Sequence, residues 1–566
     1  MTKVTICILF LSIIPHSIFA KVPQRNPYLA DVPNNQGHWN DAATDSTELA
    51  VPRGHFQMTD NGYEIVPSDA LGIPAYTAII DDTQVHWYFA GYSMRKLIFQ
   101  NGTFKQIDRV DLPVPFKNYR SMAREERLEQ ATSIQSYLEK ADEKGLAEFL
   151  KSSPNRLASA VEDQVGIGVL YSLFTKDYAL IGSNAHGLIR FDQDDPNDPF
   201  SKLRPPLRVT LPDHLFDNEK VKRNTIFPAD VVFGLSMTFN GYLVVNTLGG
   251  TILTLDRENF EIIDVYRSSD KGELYTNSFA TSHELDGGAI YVASNKAMYR
   301  LVVNAQGKIS DKEDDGAWRA EYDPGVHLPA GKIADGTGAT PTLMGFSDQE
   351  DKLVVITDGA KQMRLVAFWR DQIPVDWKQR PGTLSRRIAD QVKVNTGSIS
   401  TIIQSEQSVA TYKDYAFIVS GVQTERQKSY EVRGSFNRGL LIGVTRNPPP
   451  GTSMYQWNHK THNWKHLWAR SDIGTLATVP FISGPSNMVI VDGYFTKRLG
   501  EAFHLGLDLD SGETVMSIAT GLDPIFNGTY TGIKCDLDGS LMYTTMFGLV
   551  RFDVTKMKSV SKPDSN

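Results

Sequence analysis

The sequence predicts an all-β protein, an eight-bladed β-propeller (seven being the alternative count) with a small helical insertion between the first two blades. Three observations carry this. A strand, turn, strand, turn, strand pattern recurs along the chain, and its first turns fall at a spacing suited to four short strands per unit. A strand-like stretch near the N-terminus also has no unit of its own, as a ring needs if the two chain ends share a blade and leave no open sheet edge.

The pattern is plainest in "DVVFGLSMTFNGYLVVNTLGGTILTLD" (230–256), where Asn240-Gly241 suits a tight hairpin and Gly249-Gly250 a second turn. It returns in "NSFATSHELDGGAIYVASNKAMYRLVV" (277–303) through Asp286-Gly287, and in "TYTGIKCDLDGSLMYTTMFGLVRFDV" (529–554) through Asp538-Gly539. Looser copies turn at Asp81-Asp82, Lys176-Asp177, Asp348 to Asp351, Lys413-Asp414 and Ser483-Gly484, which makes eight. From Asp177 onward the spacing runs from 46 residues (Asn240 to Asp286) to 70 (Lys413 to Ser483).

Taken in chain order, residues 1–20 place Lys3 before an apolar run from Val4 to Ile14, then Pro15 and a small residue at Ala20, the layout of a secretory signal peptide. The expected location is therefore periplasmic or secreted. Residues 21–70 form an N-terminal segment whose stretch "HFQMTDNGYEIVPS" supplies the ring-closing strand, and residues 71–556 form the propeller. The gap of 95 residues from Asp82 to Asp177 is filled by 117–152, rich in helix formers, with Leu128, Ile134, Tyr137, Leu138 and Leu146 at helical spacing. This insertion is a surface decoration or a lid over one mouth of the channel. Residues 557–566 are expected to be a disordered tail.

Composition narrows the partners. A net charge of -8 without long like-charge blocks argues against nucleic acid, and no later stretch is apolar over the roughly 18–20 residues that membrane insertion needs. Of two cysteines only Cys535 lies beyond the signal stretch, so no intramolecular disulfide is expected. The expected partner is a small-molecule ligand at the channel mouth, with a protein or envelope polymer as the alternative.

The segment "YQWNHKTHNWKHLW" (455–468) reads as the outer hairpin of a blade, with Trp464, His466 and Trp468 alternating on one face around a turn at His459 to His462. His459 and His466 then stand apart, which favours a structural role over a three-histidine zinc site. Arg190, Arg300, Arg364 and Arg551 follow apolar residues in third strands and read as blade-to-blade contacts. The glycines of "ADGTGATPTLMG" (334–345) lack a following Gly-Lys-Ser/Thr, so they read as a turn into an inner strand.

The hairpin "LGLDLDSGETV" (505–515) resembles the x-L-D-x-x-[ST]-G-[EK] unit that ends the blades of quinoprotein-type (PQQ-like, YVTN-like) propellers, and "LTLDRENFEIIDVY" (253–266) is similar in a relaxed form. The resemblance implies blade architecture. It does not extend to the cofactor: the position of the family's docking tryptophan holds Met516 or Ser517, and the adjacent cysteine pair common in quinone-dependent dehydrogenases cannot form from Cys535 alone, so PQQ is not expected. Residue types at the channel are similar to those of calcium-dependent propeller lactonases.

In a propeller the first strands of all units converge on the axis, so their starting residues meet at one mouth. Counting back from the first turns gives Asp230, Asn277 and Glu406 as candidate metal ligands and Thr340, Ser405, Thr475 and Thr529 as ligand-binding groups. Oxygen donors of this kind suit calcium; the alternative is a polar channel solvating trapped water. His283 and Glu284, at the far end of an inner strand, are candidate catalytic bases, or a solvated turn. The expected reaction is divalent-metal-dependent hydrolysis of an ester or lactone, with a non-catalytic binding scaffold and a quinoprotein-like oxidoreductase as rivals.

Overall fold

A computed structural model describes residues 22–563 apart from 115–121, 154–156, 160–162, 164–165, 226, 326–331, 422–450, 476–478, 499 and 528–531. Residues 1–20, where a signal peptide is expected, and Thr529 lie outside the described residues. The strands fold into eight sheets of four or more strands that follow one another along the chain, each antiparallel between consecutive strands. The protein is a β-propeller. The first strands of sheets one to eight are Tyr76–Ile80, Tyr171–Phe174, Val232–Met237, Ala280–Ser282, Thr342–Met344, Ala410–Tyr412, Phe481–Ser483 and Lys534–Cys535.

The eight first turns fall where the sequence places them, though their backbone differs in detail. At Asp81-Asp82 both residues adopt positive φ (45° and 55°), whereas at Asn240-Gly241 only Gly241 does (92°). There Thr238 O accepts the Gly241 N–H, so a single glycine suffices.

The ring closes through both chain ends. Tyr63–Pro67 pairs antiparallel with Gly548–Phe552 and completes the eighth sheet. Gln84 Nε2 donates to Asp536 Oδ1 at 2.5 Å and the Arg551 guanidinium lies 4.1 Å over the Phe99 ring, sealing sheet eight against sheet one. Arg190 and Arg300 reach onward in the same way, to Glu258 (2.6 Å) and Asp371 (3.0 Å) of the following sheets. Gly54–Gln57 adds a parallel strand to the outer edge of sheet seven, and Lys558–Ser559 pairs with it. The expected disorder from residue 557 is corrected to that extent, because an outer edge with unpaired peptide groups was available to bind the tail.

The segment between residues 26 and 47 runs along the axis and bonds to all eight sheets. Asn34 Nδ2 donates to Ala75 O (3.2 Å), Phe174 N to Asn35 O (2.8 Å), Asn26 Nδ2 to Met237 O (2.9 Å) and Lys534 Nζ to Gly37 O (3.1 Å). The carbonyls of Asp41, Ala42, Thr44 and Asp45 accept the N–H groups of Thr281 (2.7 Å), Leu343 (2.9 Å), Thr411 (2.8 Å) and Ile482 (2.9 Å), one in each of sheets four to seven. These first strands are edge strands whose peptide groups need partners, and the segment provides them. The chain itself thus lines the inner strands of the ring.

Between sheets one and two in sequence lie helices α1 (Arg124–Glu139) and α2 (Glu143–Ser152). Asp142 caps α2, accepting the Gly145 N–H at 2.9 Å. They pack elsewhere: Ala131, Ile134, Leu138, Leu146 and Leu150 share a core with Ile525, Phe526, Phe547 and Phe552 of sheets seven and eight. The buried Arg127 donates to Met546 O and stacks 4.8 Å from the Phe547 ring, so α1 is pinned to the turn between the second and third strands of sheet eight. Among the described residues no helix is long and apolar enough to cross a membrane.

The Trp/His stretch forms the hairpin Thr452–Asn458 and Asn463–Arg470 in sheet six, but its alternation breaks. A bulge between Met454 and Tyr455 leaves Leu467 unpaired, so Trp464 joins the core toward sheet five and Trp468 the core toward sheet seven. Trp468 Nε1 donates to Leu509 O at 2.8 Å, and its ring lies on Gly512, where a Cβ would sit 2.6 Å from it. A tryptophan does dock on the Gly512 hairpin, then, from the preceding sheet and not from position 516 or 517.

Candidate functional site

The axial segment reverses direction at residues 36–40, level with the starting residues of several inner strands. Trp39 N bonds to Gln36 O, Asn35 N to Trp39 O, and the Asn40 side chain accepts the Ala42 N–H at 3.1 Å. Trp39 tolerates φ of 71° because its ring is fully buried, stacked on Phe481 at 4.7 Å with the Lys534 ammonium 4.6 Å from its centroid. Beside it, His38 Nδ1 lies 2.9 Å from Oδ2 of Asp45, itself fully buried. Burial pushes the Lys534 ammonium down to about 7, against the pull of Asp45.

The His38 ring faces that of Tyr171 (centroids 6.3 Å apart, planes at 28°). The Tyr171 hydroxyl donates to Asn277 Oδ1, which also accepts from Thr340 Oγ1 (2.7 Å) and Ser278 N (2.9 Å), while Asn277 Nδ2 donates to Gly338 O (2.7 Å). The Gly338 connection continues to Glu406, whose Oε1 accepts the Ile333 N–H at 2.7 Å. Gly338 has φ of 70°, and a Cβ there would lie 2.8 Å from Glu406 Cγ, so the close approach requires glycine. Burial raises the Glu406 carboxyl to about 7 although Lys332 opposes it, and burial also lowers Lys332.

Asn277, Thr340 and Glu406 are thus brought together through the 332–340 connection. Asp230 is held apart: its oxygens accept the N–H groups of Asp217 (2.8 Å) and Gly249 (2.7 Å), tying a turn of sheet three to its preceding connection. Ser405 Oγ accepts the Gln407 N–H at 3.0 Å, and Thr475 pairs with Gly493 of sheet seven. His283 is exposed beside Phe239. Glu284 accepts from Tyr291 OH (2.7 Å) and Ser282 Oγ (2.9 Å) and pairs with Arg370 (3.1 Å). Burial opposes its ionisation, but Arg370 and the two hydroxyls hold it below the usual carboxylate range.

These oxygens are already engaged in hydrogen bonds. A calcium ion needs about six to eight free oxygen donors, whereas Asn277 Oδ1 already accepts three hydrogen bonds and Asp230 two, and Glu406 faces Lys332. Among the described residues no three His, Cys, Asp or Glu side chains are placed to hold a metal.

The groups that sequence reasoning missed are His38, Asp45, Tyr171 and Lys534. His38 and Asp45 lie in a segment without strand or helix periodicity, where the one signal was a tryptophan in "NNQGHWND", too apolar for a solvated linker; Tyr171 and Lys534 begin inner strands, and counting back from the turns passed over them.

No family model matches the chain. An uncharacterised protein of Archaeoglobus fulgidus is 29% identical over 330 residues, covering 56% of this chain and 60% of its own length. The chain thus spans about three fifths of that relative. Among solved structures it is similar to the quinohemoprotein alcohol dehydrogenase of Comamonas testosteroni (11% identity, 95% of this chain and 83% of that one, TM-score 0.48). It is also similar to the periplasmic gluconolactonase of Pseudomonas aeruginosa (9% identity, 67% and 86%, TM-score 0.37). The likeness to quinoprotein-type propellers is one of fold.

Asp41, fully buried in the axial segment, gives a pH test of this packing. Burial raises its carboxyl to about 7, so the folded chain retains a proton that the unfolded chain loses near 3.8. The stability tied to that proton is complete below about pH 4 and is lost as pH rises through 7. Asp41→Asn is expected to be more stable than wild type at pH 8, by roughly 2–4 kcal/mol, with no gain at pH 4; urea melts at the two pH values measure it, and equal differences at both would refute it.

Proposed function

We propose that this protein is an exported propeller that binds a small polar ligand at the axial mouth and hydrolyses an ester or lactone there, without relying on the calcium set expected from sequence. The carrying observation is a run of contacts that links the axial segment with sheets two, four, five and eight, from Lys534 on Gly37 O, through the neighbouring His38 ring facing Tyr171, to Asn277 and Thr340. Convergent polar groups on a rigid, largely apolar frame are the usual setting of a small-molecule site, and titrating groups displaced toward neutrality by burial suit proton transfer. Export is inferred from residues 1–20.

The test is a thermal-shift and calorimetric screen of lactones and the corresponding hydroxy acids against wild type and Thr340→Val. The substitution keeps volume but removes the hydroxyl that orients the Asn277 amide. Loss of one such hydrogen bond, about 1 kcal/mol, should weaken binding roughly five- to tenfold. A panel that never shifts wild-type melting, or a Thr340→Val protein with unchanged affinity, would remove this reading.

A further inference from the structure

We propose that the axial segment supplies the acid–base group of the mouth: His38 is the general base and Asp45 its positioning residue. The inference rests on the reading that the mouth takes an ester or lactone. Its basis is geometric. Asp45 Oδ2 lies 2.9 Å from Nδ1 and is buried, and because a carboxylate can only accept, this contact orients the ring and selects the tautomer with hydrogen on Nδ1. The opposite nitrogen, Nε2, then carries the lone pair, and among the described residues it has no hydrogen-bond partner. About 10% of the His38 side chain is exposed, which leaves that edge a route to solvent.

A purely structural histidine is the rival account, and the tip does not need one. The reversal at 36–40 is closed by the backbone bonds of Asn35, Gln36 and Trp39 and by the Asn40 side chain, and it is anchored by the Trp39 ring on Phe481. The other titrating candidate, Glu406, is engaged by Ile333 N and Lys332, whereas His38 keeps one ring nitrogen without a partner while its face lies against Tyr171, the donor to Asn277.

In the reaction Nε2 takes a proton from water as the water oxygen adds to the carbonyl carbon. The tetrahedral adduct collapses with cleavage of the bond between that carbon and the ester oxygen, and Nε2–H returns the proton to the leaving oxygen. One water is consumed, and a lactone yields its hydroxy acid with no change of oxidation state.

The experiment uses the mature chain with p-nitrophenyl acetate and δ-valerolactone as probes. His38→Gln is expected to lower kcat at least about 100-fold while probe affinity in the thermal-shift assay stays within about threefold. Asp45→Asn should lower kcat with KM held and alter the shape of the pH–rate profile, which loss of a merely structural contact would not do. Should His38→Gln fold poorly, wild type treated with diethyl pyrocarbonate should lose hydrolysis in step with modification of His38, read by peptide mass mapping. Unchanged kcat in His38→Gln, or activity surviving complete His38 modification, overturns the assignment while leaving the binding mouth intact. Wild type that hydrolyses neither probe overturns the assignment too, and failure of the Thr340→Val comparison then marks the mouth itself as wrong.

Discussion

A chain lacking residues 22–47 is expected to show no cooperative unfolding transition. That segment supplies hydrogen-bond partners to the first strand, or the residue just before it, in all eight sheets, and without it the edge peptide groups of sheets four to seven lose Asp41, Ala42, Thr44 and Asp45 as acceptors. A buried peptide group left unpaired costs about 1–3 kcal/mol, and four of them together approach the whole stability of an ordinary domain. Trp39→Ala is the graded form of the same test. Removing a fully buried indole stacked on Phe481 should cost about 3–5 kcal/mol. Differential scanning calorimetry checks both, and a truncated chain melting within about 5 °C of the full one would make the segment a passenger.

The second large effect belongs to Glu284. Its carboxylate compensates Arg370, of which only 2% of the side chain is exposed, and truncating one member of such a pair leaves an uncompensated buried charge. Glu284→Ala should therefore lose roughly 3–5 kcal/mol in urea denaturation, with the proposed hydrolysis per folded molecule unchanged. The double variant Glu284→Gln, Arg370→Met should recover most of the loss, since two neutral groups need no partner. A stable Glu284→Ala protein with abolished hydrolysis would support the catalytic role that its neighbour His283 and its turn position suggest from sequence.

Much of the architecture was legible because it is written in local chemistry. Turn residues such as Asp286-Gly287 and Asp538-Gly539, between β-branched runs, fix hairpins within a dozen residues, and repetition of hairpins implies a ring. The location of α1 was not legible: helical spacing says that Ile134 and Leu138 need a core but not that the core is made by Phe526 and Phe547, four hundred residues later. The bulge at Leu467 likewise inverts Trp468 relative to Trp464 without a sequence mark. Counting back from turns found Asn277, Thr340 and Glu406, which the 332–340 connection joins. It also found Asp230, whose oxygens are consumed by neighbouring peptide groups. The imidazole and carboxylate of the axial segment escaped because a chain that pairs with eight different strands, one or two residues at a time, carries no period.

The order of these parts along the polypeptide has a consequence for biogenesis. The portion that occupies the hub precedes the wall along the chain, and the clasp between Tyr63–Pro67 and Gly548–Phe552 joins strands from opposite sides of the whole ring in sequence. Sheet eight cannot be completed, nor its inner strand Lys534–Cys535 meet the hub, before that late stretch exists.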